Sequence, residues 1–339
     1  MKAYRIHSPH TIKLEEMDAM PVGENCVKLK NLMCSITPID LAVYEGRREA
    51  RLPIIPVRQC VGFVSEVGES VTGIARGNRV VTYSSASCHN CKACKDGRFY
   101  DCEKPSLFGA NEDGFLSDFS VVSANDVYLI PDRLKDEEAI FIENIALALN
   151  ALSHLQVEKG DQLVIMGATV DGIILAQVAM YYQAVPIVVD MNEEMLSLAQ
   201  KAGVYFTVNA VNEDARKKIL SLTGGRMASS CAYLTSSDMP VSSICDYTAR
   251  RGKVAIIGRA TKSDLPITVS ALLEKNLDMF TVVDCGKNYQ TAINLLANHT
   301  VQVESLYEQI ADFDNVPEIY DRLCANGTDN TLKTLIKIK

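Results

Sequence analysis

From Met1 to about Ile130, apolar and polar residues alternate in short runs such as Val27-Lys28-Leu29-Lys30, Cys60-Val61-Gly62-Phe63-Val64 and Arg79-Val80-Val81-Thr82-Tyr83, each bounded by Gly, Pro, Asn or Asp. A period of two turns one face of each run toward a core, so this part is expected to be mostly β. At Leu147-Ala148-Leu149-Asn150-Ala151-Leu152 the spacing becomes helical. Gln162-Leu163-Val164-Ile165-Met166-Gly167 follows, a continuous apolar run ending in glycine, which is the pattern of a buried parallel strand. A helix over Gly172–Tyr182, a strand over Val185–Asp190, a helix over Glu193–Ala202 and a later strand over Lys253–Ile257 then alternate as βαβ units do. The segment from about Gly286 carries the helical Ala292-Ile293-Asn294-Leu295-Leu296 and a closing strand over Leu332–Ile338, expected to rejoin the first domain.

The 339 residues exceed what one core usually serves, and 47% apolar residues suffice to fill two. A formal net charge of -8, with no basic run, argues against nucleic acid or an anionic membrane as partner. No stretch approaches the ~18 apolar residues of a membrane-spanning helix.

Chemistry enters with Cys88, Cys91, Cys94 and Cys102. Thiolates at C-x2-C-x2-C-x7-C spacing converge from one loop, and four of them close a tetrahedral zinc site with no open position, so one structural Zn2+ per chain is expected. Two disulfides are the alternative reading. The odd total of 11 Cys and the absence of an export signal at Met1-Lys2-Ala3-Tyr4 favour zinc and a cytoplasmic location.

These landmarks, with Asp40-Leu41-Ala42-Val43-Tyr44-Glu45-Gly46, Gly62-Phe63-Val64-Ser65-Glu66-Val67-Gly68, Asp113-Gly114-Phe115, Glu143-Asn144-Ile145-Ala146 and the Gly167–Gly172 loop, resemble the zinc-containing medium-chain dehydrogenase/reductase family along essentially the whole chain. The resemblance implies an α/β fold: a GroES-like β domain, residues 1–148 with 286–339 and a zinc lobe at about 85–103, plus a Rossmann domain of doubly wound parallel sheet at 149–285. It implies NAD(P) and a small-molecule substrate meeting in the cleft between the domains, and a homo-dimer or homo-tetramer.

The family's catalytic zinc ligands are a Cys, a His-Glu pair and a later Cys or Glu. By the matched motifs Thr37 stands where the Cys belongs, Arg58 and Gln59 replace His-Glu, and Glu143 remains. A hydroxyl is a poor zinc ligand and a guanidinium has no lone pair to give, so no catalytic zinc is expected. Cys34 and Cys60, with Glu143 and Asp40, are the alternative donor set. An Asp40–Arg58 ion pair is expected, with Arg58 taking over zinc's electrostatic role or holding a substrate carboxylate or phosphate. The family's relay hydroxyl aligns with Ile39 and its relay histidine with Ala42, leaving Thr37, Ser35 or Tyr44 as hydroxyl sources. None of the five histidines stands in a ligand motif.

A dinucleotide fingerprint wants G-x-G-x-x-G after a strand. Here it reads Gly167-Ala168-Thr169-Val170-Asp171-Gly172, with Thr169 for the second glycine and Asp171 adding negative charge near the helix N-terminus. Both oppose a phosphate. Asp190 closes the next strand where an acid accepts from ribose hydroxyls, and no Arg or Lys follows in Met191-Asn192-Glu193-Glu194, which favours NAD(H) over the 2′-phosphorylated form. Two functions compete: an NAD-dependent oxidoreductase of a small polar alcohol and its carbonyl compound, working through Thr37, Asp40, Arg58 and Glu143 without catalytic zinc, or a non-redox descendant that binds a partner or uses the cleft otherwise.

Overall fold

The computed structural model describes residues 1–18, 20–259, 265–326 and 332–338. The described residues form two units: 1–143 with 307–326 and 333–338, and the insert Asn144–Leu306, which Leu332 joins.

In the first unit a seven-stranded sheet runs Tyr307–Asp312, Lys333–Lys337, Cys26–Ile36, Cys60–Val67, Arg79–Thr82, Val127–Leu129, with Phe119–Ser123 also paired to Cys26–Ile36. The alternation read from sequence sets the faces: Val27 and Leu29 are fully buried and Lys30 is exposed. Asn31, also fully buried, ties the strand to the 115–120 segment by donating to the carbonyls of Phe115 (3.2 Å) and Ser117 (2.9 Å) and accepting from Ser120 Oγ (2.9 Å). The C-terminal pair of strands is parallel, joined through the helix Val316–Asn326, while Lys333–Lys337 is antiparallel to Cys26–Ile36.

The second unit holds six parallel strands in the order Phe206–Asn209, Val185–Asp190, Gln162–Met166, Ala228–Leu234, Thr248–Ile257, Asp278–Val282. By chain order that is 3-2-1-4-5-6, the dinucleotide-binding sheet, whose order reverses between Gln162–Met166 and Ala228–Leu234. Leu163, Val164, Ile165 and Met166 are all fully buried, as a strand covered on both faces requires.

The boundary expected at Gly286 lies at Tyr307 instead. The intervening helix Tyr289–Ala297 buries Tyr289, Ala292, Ile293, Leu295 and Leu296. Gln302 fixes the chain after it, its N–H donating to Gln177 Oε1 (2.7 Å) and its carbonyl accepting from Gln177 Nε2 (2.9 Å). Both contacts lie within the insert, so this segment folds with the Rossmann sheet.

Candidate functional site

Three groups of side chains carry chemistry, two in the first unit and one in the second.

The cysteine lobe gathers as its spacing requires. The ligand atoms of Cys88, Cys91, Cys94 and Cys102 all lie within 4.8 Å of one another, with Cys88 Sγ and Cys94 Sγ 3.9 Å apart. Zn–S bonds of about 2.3 Å in a tetrahedron put sulfurs about 3.8 Å apart, so the quartet fits zinc as it stands. Backbone N–H groups face the sulfurs: Cys88 N donates to Cys102 Sγ (3.3 Å), Cys91 N to Cys88 Sγ (3.4 Å) and Cys94 N to Cys91 Sγ (3.5 Å). The N–H groups of Asn90 and Cys91 hold the Cys88 thiol down at about 6, and those of Glu103 and Cys94 lower Cys91. Burial pushes Cys94 up to about 12, a penalty that a divalent cation overrides. All eleven cysteines are free thiols, which removes the disulfide reading. Among the described residues this is the one group of three or more Cys, His, Asp or Glu arranged to hold a metal.

The second group surrounds Arg58. Thr37 caps the helix Pro38–Tyr44, with proline at its first position and Asp40 at its third. Such an acid folds back onto the cap. Asp40 Oδ2 accepts from Thr37 N (2.8 Å) and Thr37 Oγ1 (2.5 Å), and its Oδ1 accepts from Val57 N (3.1 Å). The expected Asp40–Arg58 ion pair is therefore absent. The guanidinium instead approaches Glu143, with Nη2 3.9 Å from Oε1. Asp40 is 1% exposed, and burial raises its pKa, an effect that the Arg58 charge and the Thr37 and Val57 donors reduce.

Gln59 organises the rest. Its Oε1 accepts from Ser35 Oγ (3.0 Å) and Lys333 Nζ (3.0 Å), which fixes the amide so that Nε2 donates to Glu143 Oε2 (2.6 Å). Lys333 Nζ also lies 5.0 Å from the centre of the Phe141 ring. Arg58, 7% exposed, keeps Nε and Nη1 buried without an acceptor. Of the hydroxyls considered from sequence, Ser35 is engaged by Gln59, and Tyr44 donates to Asp321 Oδ1 (2.8 Å), which together with burial raises its pKa. Cys34 and Cys60 face each other across adjacent strands, fully buried with raised pKa values, and gather no third ligand. Sequence reasoning missed Lys333 and the pivotal position of Gln59.

The third group is the loop after Gln162–Met166. Gly167 has φ +114, and a Cβ there would meet Ser237 Cβ at 2.7 Å, on the loop after the strand across the order reversal. A Cβ on Gly172 would lie 2.0 Å from the Gly167 carbonyl oxygen. The turn and close-packing glycines of the fingerprint thus keep their physical reasons. Thr169 caps the helix Val170–Tyr181, its Oγ1 accepting from Gly172 N (3.2 Å). The side chain thus occupies one N–H of the helix end, where a phosphate would bind. Asp171 is tethered by Asn144 Nδ2 (2.6 Å). Asp190, 2% exposed, directs Oδ2 to Ala168 N (2.6 Å) and Oδ1 to Met191 N (2.7 Å) and Asn192 N (2.8 Å). Its carboxylate holds the loop from behind.

A six-stranded dinucleotide-type sheet, a separate β unit and a four-cysteine lobe together define a zinc-type dehydrogenase. The family model of the alcohol dehydrogenase GroES-like domain matches residues 23–132, and that of the zinc-binding dehydrogenase domain matches residues 172–298. The chain belongs to the zinc-type medium-chain dehydrogenase/reductase family. It is 30% identical over 264 residues to an L-threonine 3-dehydrogenase of Shewanella woodyi, covering 76% of each chain. It is 26% identical over 335 residues to an uncharacterized zinc-type alcohol dehydrogenase-like protein of Haemophilus influenzae, covering 98% of this chain and 97% of the other. An alcohol dehydrogenase of Escherichia coli CFT073, solved with the cofactor NADH, shares the fold at TM-score 0.87 and 22% identity, covering 99% of each chain.

Proposed function

We propose that this chain is an NAD(H)-dependent oxidoreductase that interconverts a small polar alcohol and its carbonyl compound without a catalytic metal ion, with Arg58 at the centre of the reacting site. One observation carries the reading. A guanidinium buried with Nε and Nη1 unpartnered is costly, on the order of 1–3 kcal/mol for each unsatisfied group, unless an acceptor arrives. A reacting carbonyl oxygen, which becomes an alkoxide as hydride is delivered, is such an acceptor, and a fixed positive charge beside it stabilises the charge that develops.

Glu143, held by Gln59, keeps Nη2 in place. Thr37 and Asp40 provide the proton path: the alcohol proton passes to Thr37 Oγ1 as the Thr37 proton moves to Asp40 Oδ2, along the 2.5 Å hydrogen bond already made. A raised Asp40 pKa suits a terminal acceptor. Bound NAD(H) would supply the hydride acceptor or donor. Gly167, Thr169 and Gly172 would receive its pyrophosphate, which would take over the Gly172 N–H that Thr169 Oγ1 now accepts from, with Asp171 held by Asn144. An Escherichia coli structure of the same fold was solved with NADH, which supports NAD(H) as the cofactor. Cys88, Cys91, Cys94 and Cys102 would hold a structural zinc, and homo-dimers or homo-tetramers follow family habit.

Titration with NADH and NADPH in parallel, by nicotinamide fluorescence, tests the cofactor half: micromolar NADH binding with weaker NADPH binding is expected. No binding at millimolar cofactor overturns the oxidoreductase reading and leaves the non-redox descendant, which the commitment of Asp190 to Ala168, Met191 and Asn192 favours. The chemical half is tested with Arg58→Met. Loss of kcat with zinc content and NADH affinity unchanged is expected, and unaltered turnover refutes the role.

A further inference from the structure

We propose that Asn144 is a positioning residue for the cofactor loop: it holds the Asp171 carboxylate off the seat of the pyrophosphate, so that cofactor affinity depends on Asn144 for as long as Asp171 is an acid. The inference deepens the oxidoreductase reading and rests on its NAD(H) site. Asp171 is the second residue of the helix Val170–Tyr181, whose first-turn N–H groups and positive dipole end favour an anion. The N–H that the pyrophosphate would take over from Thr169 belongs to Gly172, the next residue. A carboxylate on that turn competes with a phosphate for the helix end and repels it. Its direction therefore sets how far it weakens cofactor binding. Asp171 Oδ1 accepts from Asn144 Nδ2 at 2.6 Å. Asn144 stands in the first turn of another helix, Ile142–Leu155, and both residues lie in the insert. One carboxylate oxygen is thus committed to a neighbouring helix and not to its own first turn.

The amide has one workable orientation. Turned over, Asn144 would set its oxygen against the carboxylate. As it stands, Nδ2 reaches Asp171 while Oδ1 is buried with no hydrogen-bond partner. A stranded buried oxygen offsets what the hydrogen bond contributes, so the contact adds little to stability. What it fixes is a direction. The amide is also neutral, so Asp171 keeps its charge and only its orientation is controlled. At about 5 Å and an effective dielectric near 20, a carboxylate released toward a phosphate weakens binding by about a hundredfold. Water around the half-buried Asp171 lowers that toward about tenfold.

The test is a double-mutant cycle read by binding alone. NADH is titrated, by nicotinamide fluorescence, into the zinc-loaded parent, Asn144→Ala, Asp171→Asn and the double variant. Asn144→Ala is expected to bind about ten- to a hundredfold more weakly than the parent, by a ratio that shrinks as salt is added. Asp171→Asn keeps an acceptor oxygen for Asn144 but no charge, and is expected to bind at least as tightly as the parent. With that change in place, adding Asn144→Ala is expected to alter affinity by no more than about twofold. A packing role gives the same loss with or without the acid and no dependence on salt. That result overturns the proposal, as does Asn144→Ala binding like the parent. If Asn144→Ala fails to fold, Asp171→Asn decides alone: binding weaker than the parent's shows that the carboxylate serves the cofactor and overturns the proposal. NADH binding by neither the parent nor Asp171→Asn removes the cofactor reading and this inference with it. A parent that binds NADH whatever stands at position 144 removes the inference alone.

Discussion

Replacing Asp190 by alanine removes the acceptor of three backbone amides at once, those of Ala168, Met191 and Asn192. Ala168 is fully buried, so its N–H is stranded at about 1–3 kcal/mol. Met191 is 39% exposed and Asn192 half-buried, so their N–H groups turn to water and each forfeits only a net bond of about 0.5–1.5 kcal/mol. The sum is about 2–6 kcal/mol, or a fall of about 4–24 °C in the Tm of the insert. Asp190→Asn keeps one carbonyl oxygen for two of the amides and sets its NH2 against the third, so its loss is expected nearer the lower end. Calorimetry gives the Tm, and hydrogen exchange at the Ala168, Met191 and Asn192 amides localises the loss. A variant that melts within about 1 °C of the parent, while losing tenfold or more in NADH affinity, would show that this carboxylate serves the cofactor and not the loop.

Gly172→Ala places a Cβ 2.0 Å from the Gly167 carbonyl oxygen, a backbone atom with no cheap escape, and about 1–3 kcal/mol or more of stability is expected to go; a soluble variant with the parent Tm refutes that close approach. Purified protein is expected to contain one zinc per chain by elemental analysis, and Cys94→Ser or chelation to release it and open the lobe to trypsin at Lys92, Lys95 and Arg98; zinc-free protein with a protease-resistant lobe contradicts the metal reading. Burial raises the Asp126 carboxyl to about 7, against the donors of Ser87 that lower it. The folded form then holds a proton that the unfolded form gives up above about 4, so this contribution is complete below pH ~4 and is lost as pH rises through about 7, with a ceiling near 4 kcal/mol. Unfolding of Asp126→Asn across pH 4 to 7.5 is expected to be flatter than that of the parent, and parallel profiles refute the assignment.

Local chemistry was legible in the sequence and long-range chemistry was not. The cysteine quartet could be read because its ligands lie in one short loop, and the parallel sheet because a strand buried on both faces is apolar throughout. Thr37-Pro38-Ile39-Asp40 carried a signal that outranks the ion pair expected for Asp40: a cap residue, a first-turn proline and an acid positioned to fold back onto the cap. Asp190 shows the opposite limit. Its position at the strand end was evident, but which way the carboxylate turns depends on where three loop amides point. Lys333 left no mark at all, because a lysine opening a terminal strand is ordinary until folding sets it against Gln59.

That contact between Gln59 and Lys333 spans 274 residues and has a consequence for how the protein is made. Closing so long a loop from an unfolded chain costs about 5 kcal/mol in entropy. The insert reduces that cost if it folds first, since Phe141 and Tyr307, where the chain leaves and re-enters the first unit, end with ring centres 6.3 Å apart. On a ribosome that order is favoured, because the insert emerges before the strand carrying Lys333. Until then Met33–Ile36 of the strand Cys26–Ile36 lack a partner along one edge, and the polar site has its arginine and both carboxylates but not its second cation. A nascent chain thus lacks one charge of this centre until the strand Lys333–Lys337 emerges, and removing that strand takes a charge from the site as well as a strand from the sheet.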